Sequence, residues 1–114
     1  MMITNIRHNR LMKLADDLCI NRNQNHPVEL GKSLFEPYPE GVEFLKAHYL
    51  LDSVHSEYTK PIARLVHDIV DETWLLWFVD EKEEWVVYPY LNQPASLEVL
   101  LTEIKYDPQG LIWG

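Results

Sequence analysis

Acidic residues crowd into one short region, and paired carboxylates there could do chemistry. Seven acids and one base, Lys82, lie between Asp68 and Glu84, so this region carries 1 − 7 = −6 of the total charge. Paired carboxylates can hold a hard cation such as Mg²⁺, or divide the roles of general acid and general base. An imidazole stands beside carboxylates at one place, which makes four residues candidates for a small metal-assisted hydrolase: His67, Asp68, Asp71 and Glu72.

These candidates lack the spacing that normally accompanies a metal or catalytic site. The histidine lies in no HExxH or HxH pattern, and the acidic runs have no EF-hand spacing. The single cysteine, Cys19, falls near the end of a predicted helix, where the helix dipole disfavours a thiolate. No GxSxG motif and no glycine-rich phosphate loop occur. We therefore expect no catalysis, no cofactor and no bound metal, with the acids forming solvated turns.

Aromatic residues on two neighbouring predicted strands are the other distinctive group. The segment 74–79 is apolar on both parities, so one face of that strand needs cover beyond what two helices supply. Tryptophan and tyrosine are enriched at protein interfaces. Trp77, Trp85 and Tyr88 are thus candidate interface residues of an interaction or regulatory module, whose partner is another protein or, in a homodimer, a second copy.

Length and charge exclude several classes of protein. The 114 residues, at 13.5 kDa, predict one domain over 1–114. Ten basic against eighteen acidic residues give a net charge of −8, which disfavours nucleic acid and anionic membranes as partners. The sequence has no apolar run of the ~20 residues that a membrane span needs, and no signal-peptide pattern at its start. With a single cysteine, these features predict an acidic cytoplasmic protein.

The first half predicts a helix followed by a hairpin. Apolar residues with a period near 3.6 predict an N-terminal helix over about 3–20, and an asparagine-rich run over 21–27 is expected to end it. Alternation predicts a strand over 28–35. The segment 42–51 fits either a strand or a helix, and the Pro/Gly turn before it favours the strand. Residues 52–60 have no apolar period and predict a loop.

The second half predicts a meander, a helix and a docked tail. Apolar runs over 61–70, 73–79 and 85–90, joined by short polar turns, predict three antiparallel strands. Ser96 is placed to cap a helix over about 96–105. The apolar tail, residues 111–114, is expected to dock on the core beside that helix. The predicted fold class is α+β: an N-terminal helix, an antiparallel sheet of about five strands, a C-terminal helix and the docked tail.

Several patterns of the C-terminal half carry a family resemblance. They are Pro-Ile-Ala-Arg at 61–64, a tryptophan-rich strand, Trp-Val-Val-Tyr at 85–88, and the ending Asp-Pro-Gln-Gly-Leu-Ile-Trp-Gly. Together they resemble an uncharacterised bacterial family, domain of unknown function 3024. The resemblance is strongest over 61–114. This chain has asparagines at 21–25 where an Arg/Pro-rich stretch is expected in that family. Because the family has no established activity, the resemblance implies one compact domain and no catalytic residue.

Overall fold

Two helices flank five strands in the order that the sequence predicts. The structure is a computed structural model that describes residues 5–26, 31–49, 56–91 and 95–114. The strands pair in chain order, each antiparallel to the next, so the predicted α+β meander is confirmed. The elements are α1 (Asn5–Asn25), β1 (Lys32–Tyr38), β2 (Gly41–Tyr49), β3 (Ser56–Asp68), β4 (Thr73–Val79), β5 (Trp85–Val87) and α2 (Leu97–Tyr106).

Helix α1 runs five residues beyond its predicted end at residue 20. Asparagine is a weak helix former, but tertiary hydrogen bonds hold this last turn in place. The Asn23 amide donates to the Ser33 carbonyl at 3.0 Å and accepts from the Ser33 amide at 2.8 Å. The Arg22 guanidinium donates to the Ser33 hydroxyl at 3.2 Å. The predicted loop over 21–25 is therefore wrong, because contacts with β1 outweigh local propensity.

The turn of the first hairpin is shorter than the Pro/Gly-rich sequence suggests. Strand β1 includes Pro37, which an edge strand tolerates because the missing N–H faces no partner strand. Only Pro39 and Glu40 form the turn, with Glu40 at φ 61°. Next in the chain, a Cβ at Gly41 would overlap the main-chain carbonyl of Leu65, so the close approach of β3 requires glycine there. The predicted strand positions 28–30 lie outside the described residues.

The segment 42–51, which fits either a strand or a helix by sequence, belongs to strand β2 (Gly41–Tyr49), and residues 50 and 51 lie outside the described residues. Strand β3 begins at Ser56, so the predicted loop over 52–60 is wrong from residue 56 onward, and 52–55 lie outside the described residues. This part of β3 forms although its sequence has no apolar period, because main-chain hydrogen bonds with β2 stabilise it. Strand β5 ends at Val87, before the predicted residue 90.

Both helices pack on the same face of the sheet, which we call the inner face. The Ser96 side chain accepts a hydrogen bond from the Val99 amide and caps α2, as predicted. On the inner face the apolar sides of both helices meet alternate strand residues. The principal members of this core are Leu11, Ala15, Leu18, Val42, Phe44, Ala63, Leu65, Leu76, Phe78, Tyr88, Leu100 and Ile104.

The C-terminal tail docks on this core, as predicted. Ile112 and Trp113 are 4% and 5% exposed, whereas Leu111 is 39% exposed and lies at the surface. The Trp113 indole N–H donates to the Ile104 carbonyl at 2.8 Å. The Asp107 carboxylate accepts from the main-chain amides of Ile112 and Trp113 at 3.1 and 2.8 Å, so it fixes the direction of the tail. Among the described residues, neither helix combines the length and hydropathy that a membrane span requires.

Candidate functional site

The opposite face of the sheet, the outer face, is covered by neither helix. Side chains alternate along each strand, so the residues between the core positions point away from the helices. The pairing registers align one such row across all five strands: Glu36, Glu43, Arg64, Trp77 and Val87. Rows beside it add further apolar and aromatic residues to the outer face: Leu34, Tyr38, Val66, Leu75, Val79 and Trp85.

Arg64 organises the centre of the outer face. Its Nε donates to Glu43 Oε2 at 2.7 Å. Its guanidinium carbon lies 3.8 Å from the ring centroid of Trp85 and 4.7 Å from that of Tyr38. The Arg64 and Glu43 side chains are only 27% and 13% exposed, so the pair is well shielded from water. One cation thereby holds a carboxylate and two aromatic rings in fixed positions.

The charges of the outer face nearly cancel. Among the strand residues whose side chains are described, Lys32 and Arg64 supply two positive charges, and Glu36, Glu43 and Asp68 supply three negative ones. The chain as a whole carries −8, so most of its excess negative charge lies elsewhere, much of it in the β3–β4 and β4–β5 turns. The outer face is therefore a nearly balanced, aromatic surface on an acidic protein.

The predicted interface residues divide between the two faces. Trp77 and Trp85 lie on the outer face and are partly exposed. Tyr88 is only 1% exposed and packs in the core, where its hydroxyl donates to Glu103 Oε2 at 2.7 Å. Burial, together with this bond, raises the pKa of Tyr88 above its ordinary value. Tyr88 thus joins the end of β5 to α2 and takes no part in the outer face.

The four predicted metal or hydrolase candidates do not form one cluster. The His67 ring packs against Trp74 at 4.9 Å between centroids. Asp68 Oδ1 accepts from the amides of Val70 and Asp71 at 3.0 and 3.3 Å, which stabilises the β3–β4 turn.

Asp71 and Glu72 are exposed in that turn. In the described part of the chain, no three His, Cys, Asp or Glu side chains are grouped so that they could hold a metal. The Asp80 carboxylate has a similar role in the next turn, where it accepts from the amides of Lys82 and Glu84. The acid-rich region therefore serves turn geometry.

Arg64, Glu43 and Tyr38 were not among the sequence candidates. A signal for Arg64 was present, because it is the one charged residue between the apolar residues 61–63 and 65–66 of a predicted strand. Its partners could not be identified in the same way. Glu43 lies 21 residues away, and only the strand register brings it opposite Arg64.

The fold and the outer face together define a small α+β domain with one sheet face that the helices cover and one that neither helix covers. The sequence profile of a family described as Domain of unknown function (DUF3024) matches residues 3–114, so the chain belongs to that family. The resemblance seen over the C-terminal half is thus confirmed and extends to nearly the whole chain. Neither the curated proteins nor the solved structures include a match.

Proposed function

We propose that this protein is a non-catalytic interaction module that self-associates through its outer face. The observation that carries the proposal is the shielded arrangement of Arg64, Glu43, Trp85 and Tyr38 on a sheet face that neither helix covers. Arginine, tryptophan and tyrosine are the residues that most often dominate binding energy at interfaces. Here they are held in place before a partner arrives, which lowers the entropic cost of association.

Charge favours a second copy of this chain as the partner. A partner selected by electrostatic attraction to this acidic protein would be basic, yet the outer face carries only one acid more than its bases to attract it. A two-fold dimer is self-complementary, because each surface meets an identical one. With two positive and three negative groups on each face, a rotated copy can place each positive group opposite a negative one.

The size of the outer face sets the expected strength of the dimer. Five strands of about seven residues cover roughly 24 Å by 24 Å, or about 580 Å² per copy. A dimer would bury about 1,150 Å² in total, which is at the low end for specific interfaces. We therefore expect a reversible dimer whose population depends on protein concentration.

Sedimentation velocity over a concentration series tests this proposal. The wild-type protein should shift from monomer to dimer as its concentration rises. Trp77→Arg places an uncompensated charge on the outer face and should give a monomer at every concentration. Val70→Arg is the matched control, because it adds the same charge at a turn residue that is 90% exposed, and it should dimerise like the wild type.

Two results would contradict self-association through this face. One is a wild-type protein that sediments as a monomer at all concentrations. The other is equal dimerisation of the wild type and Trp77→Arg. Circular dichroism of each variant establishes that it is folded before the comparison is made.

The hydrolase alternative receives no such support, because the structure separates its candidate residues by role. His67 packs against a tryptophan, and Asp68 is engaged with the main chain of its turn. The buried, unpaired Cys19 is consistent with the reducing cytoplasm that the composition predicts.

A further inference from the structure

A second feature lies on the inner side of the sheet, away from the outer face. There the end of α1, the start of β1, strand β2 and the tail enclose a cavity of about 360 Å³. Arg22, His26, Ser33, Lys46 and Trp113 contribute its polar and aromatic lining. Gly31 and Gly114 complete the lining, and Gly114, the last residue, carries a main-chain carboxylate. Three of the lining side chains are basic and none is acidic, which is unexpected in a chain with a net charge of −8.

Arg22 is a buried cation that pairs with no carboxylate in the described part of the chain. It is 8% exposed, donates to the Ser33 hydroxyl at 3.2 Å and to the Lys105 carbonyl at 2.6 Å, and stacks 4.6 Å from the Trp113 ring. All three contacts are to neutral groups. Among the described residues, the ion pairs are Arg10–Glu98, Lys60–Glu83 and Arg64–Glu43, and none of them involves this cavity.

Lys46 supplies the second cation. Its Nζ donates to the Trp113 carbonyl at 2.6 Å, which again is a neutral group, while an ammonium has three donors in all. Gly31, at φ 106°, leaves room for the lysine stem, because a Cβ there would come within 2.5 Å of Lys46 Cε. The lysine is thus held with its ammonium at the cavity.

The nearby acid Asp107 does not neutralise these charges. Its two carboxylate oxygens accept from the amides of Ile112 and Trp113, so they are engaged with the tail. Burial lowers the pKa of Arg22, and the attraction of Asp107 offsets only part of that effect. Buried charges in proteins are normally paired. Among the described residues, the cavity lining has two permanent cations, Arg22 and Lys46, against the single carboxylate of Gly114, so positive charge is in excess.

We propose that this cavity binds a small oxyanion of the phosphate-monoester class. Arg22 and Lys46 supply two positive charges, the Gly114 carboxylate offsets one of them, and arginine and lysine are the common phosphate-binding side chains. The Ser33 hydroxyl can donate a further hydrogen bond while it accepts from Arg22. The volume lies at the lower end for small-molecule sites, which favours a compact ligand.

Inorganic phosphate is the probe for the first test, with the full chain and with sodium chloride at equal ionic strength as the reference. The Trp113 indole N–H, followed by NMR, reports on the cavity wall directly. Phosphate should shift this resonance saturably at millimolar concentration. Lys46→Met should weaken that binding about tenfold or more, because one of the two charges is removed.

Lys60→Met is the matched control. Lys60 pairs with Lys46 across β2 and β3, but its ammonium contacts Glu83 and lies outside the cavity lining. This variant removes the same charge from the same region of the sheet, so it should bind phosphate like the wild type. Arg22→Lys gives a second test that keeps a charge but loses the planar donor, and it should also bind more weakly.

Three outcomes would overturn the proposal. The first is a Trp113 resonance that moves no further with phosphate than with chloride. The second is equal binding by the wild type and Lys46→Met. The third is equal loss in Lys46→Met and Lys60→Met, which would indicate general attraction to positive charge. Each outcome is independent of dimerisation, because the cavity and the outer face lie on opposite sides of the sheet.

Discussion

Two arginines of this protein stack on tryptophan in similar ways but differ in their counter-charge. Arg64, on the outer face, lies 3.8 Å from the Trp85 ring and binds Glu43. Arg22, on the inner side, lies 4.6 Å from the Trp113 ring and binds only a hydroxyl and a carbonyl. Stacking alone therefore does not indicate the role of an arginine. Among the described residues, Arg64 pairs with a carboxylate and Arg22 does not, and this is the difference between the two arginines.

The two stacks also differ in how much of the fold depends on them. Around Arg22, a side chain of β1, a main-chain carbonyl of α2 and a ring of the tail converge, so this arginine of α1 connects four segments. Around Arg64, the contacts reach β1, β2 and β5, which belong to one sheet that main-chain hydrogen bonds already hold together. We expect changes at the inner stack to affect stability and changes at the outer stack to affect association.

The largest expected difference comes from removing each ring. Trp113→Ala deletes a side chain that is 5% exposed and should lower the free energy of unfolding by about 3–5 kcal/mol. Trp85→Ala deletes a partly exposed ring and should lower it by about 1–2 kcal/mol. Urea denaturation measures both. Equal losses of unfolding free energy would show that the Trp113 ring contributes no more to stability than the Trp85 ring. Leu111→Ala, at an exposed position of the tail, is the control.

A smaller difference is expected between the coupling free energies of two hydrogen-bonded pairs, Arg64–Glu43 and Arg22–Ser33. A double-mutant cycle with Arg64→Met and Glu43→Gln should give a coupling of about 1–2 kcal/mol, since charge-assisted bonds are stronger than neutral ones. The corresponding cycle with Arg22→Met and Ser33→Ala should give about 0.5–1 kcal/mol. A larger coupling for the second pair would contradict the distinction drawn between the arginines.

The smallest effect near neutral pH concerns Cys19, which lies three residues before Arg22. Burial raises the pKa of this thiol from 9.0 to about 12, with Asp16 adding to the rise and Arg22 opposing it. In the native protein the thiol should therefore react slowly with iodoacetamide at pH 8, and denaturation should accelerate the reaction. Rapid alkylation of the native protein would show that Arg22 outweighs burial.

The same shift sets a pH dependence. Because the pKa of Cys19 is higher in the folded state, its contribution to stability is complete below pH 9 and is lost as the pH rises towards 12. The raised pKa of Tyr88 acts in the same direction. Urea midpoints between pH 8 and 11 should thus fall less in Cys19→Ala than in the wild type.

Local patterns of the sequence determined much of this architecture. The apolar content of 73–79 predicted β4 with its observed bounds, and Ser96 predicted the capped start of α2. These two features depend on residues close together in the chain. The docking of the tail also followed from its residue types, because an apolar segment favours burial, although the surface that receives it is formed by distant residues.

Tertiary structure decided what depends on distant residues. The last turn of α1 forms because Asn23 and Arg22 bond to Ser33, which no local propensity indicates. The burial of Tyr88 and the pairing of Arg64 with Glu43 both require the sheet register and the position of α2. Whether an arginine pairs with a carboxylate likewise depends on residues far apart in the sequence, because their side chains come into contact only when the helices and strands pack together. For that reason the sequence predicted the helices, the strands and an uncovered sheet face with Trp77 and Trp85, while the arrangement around Arg64 and the basic cavity became visible only in the folded protein.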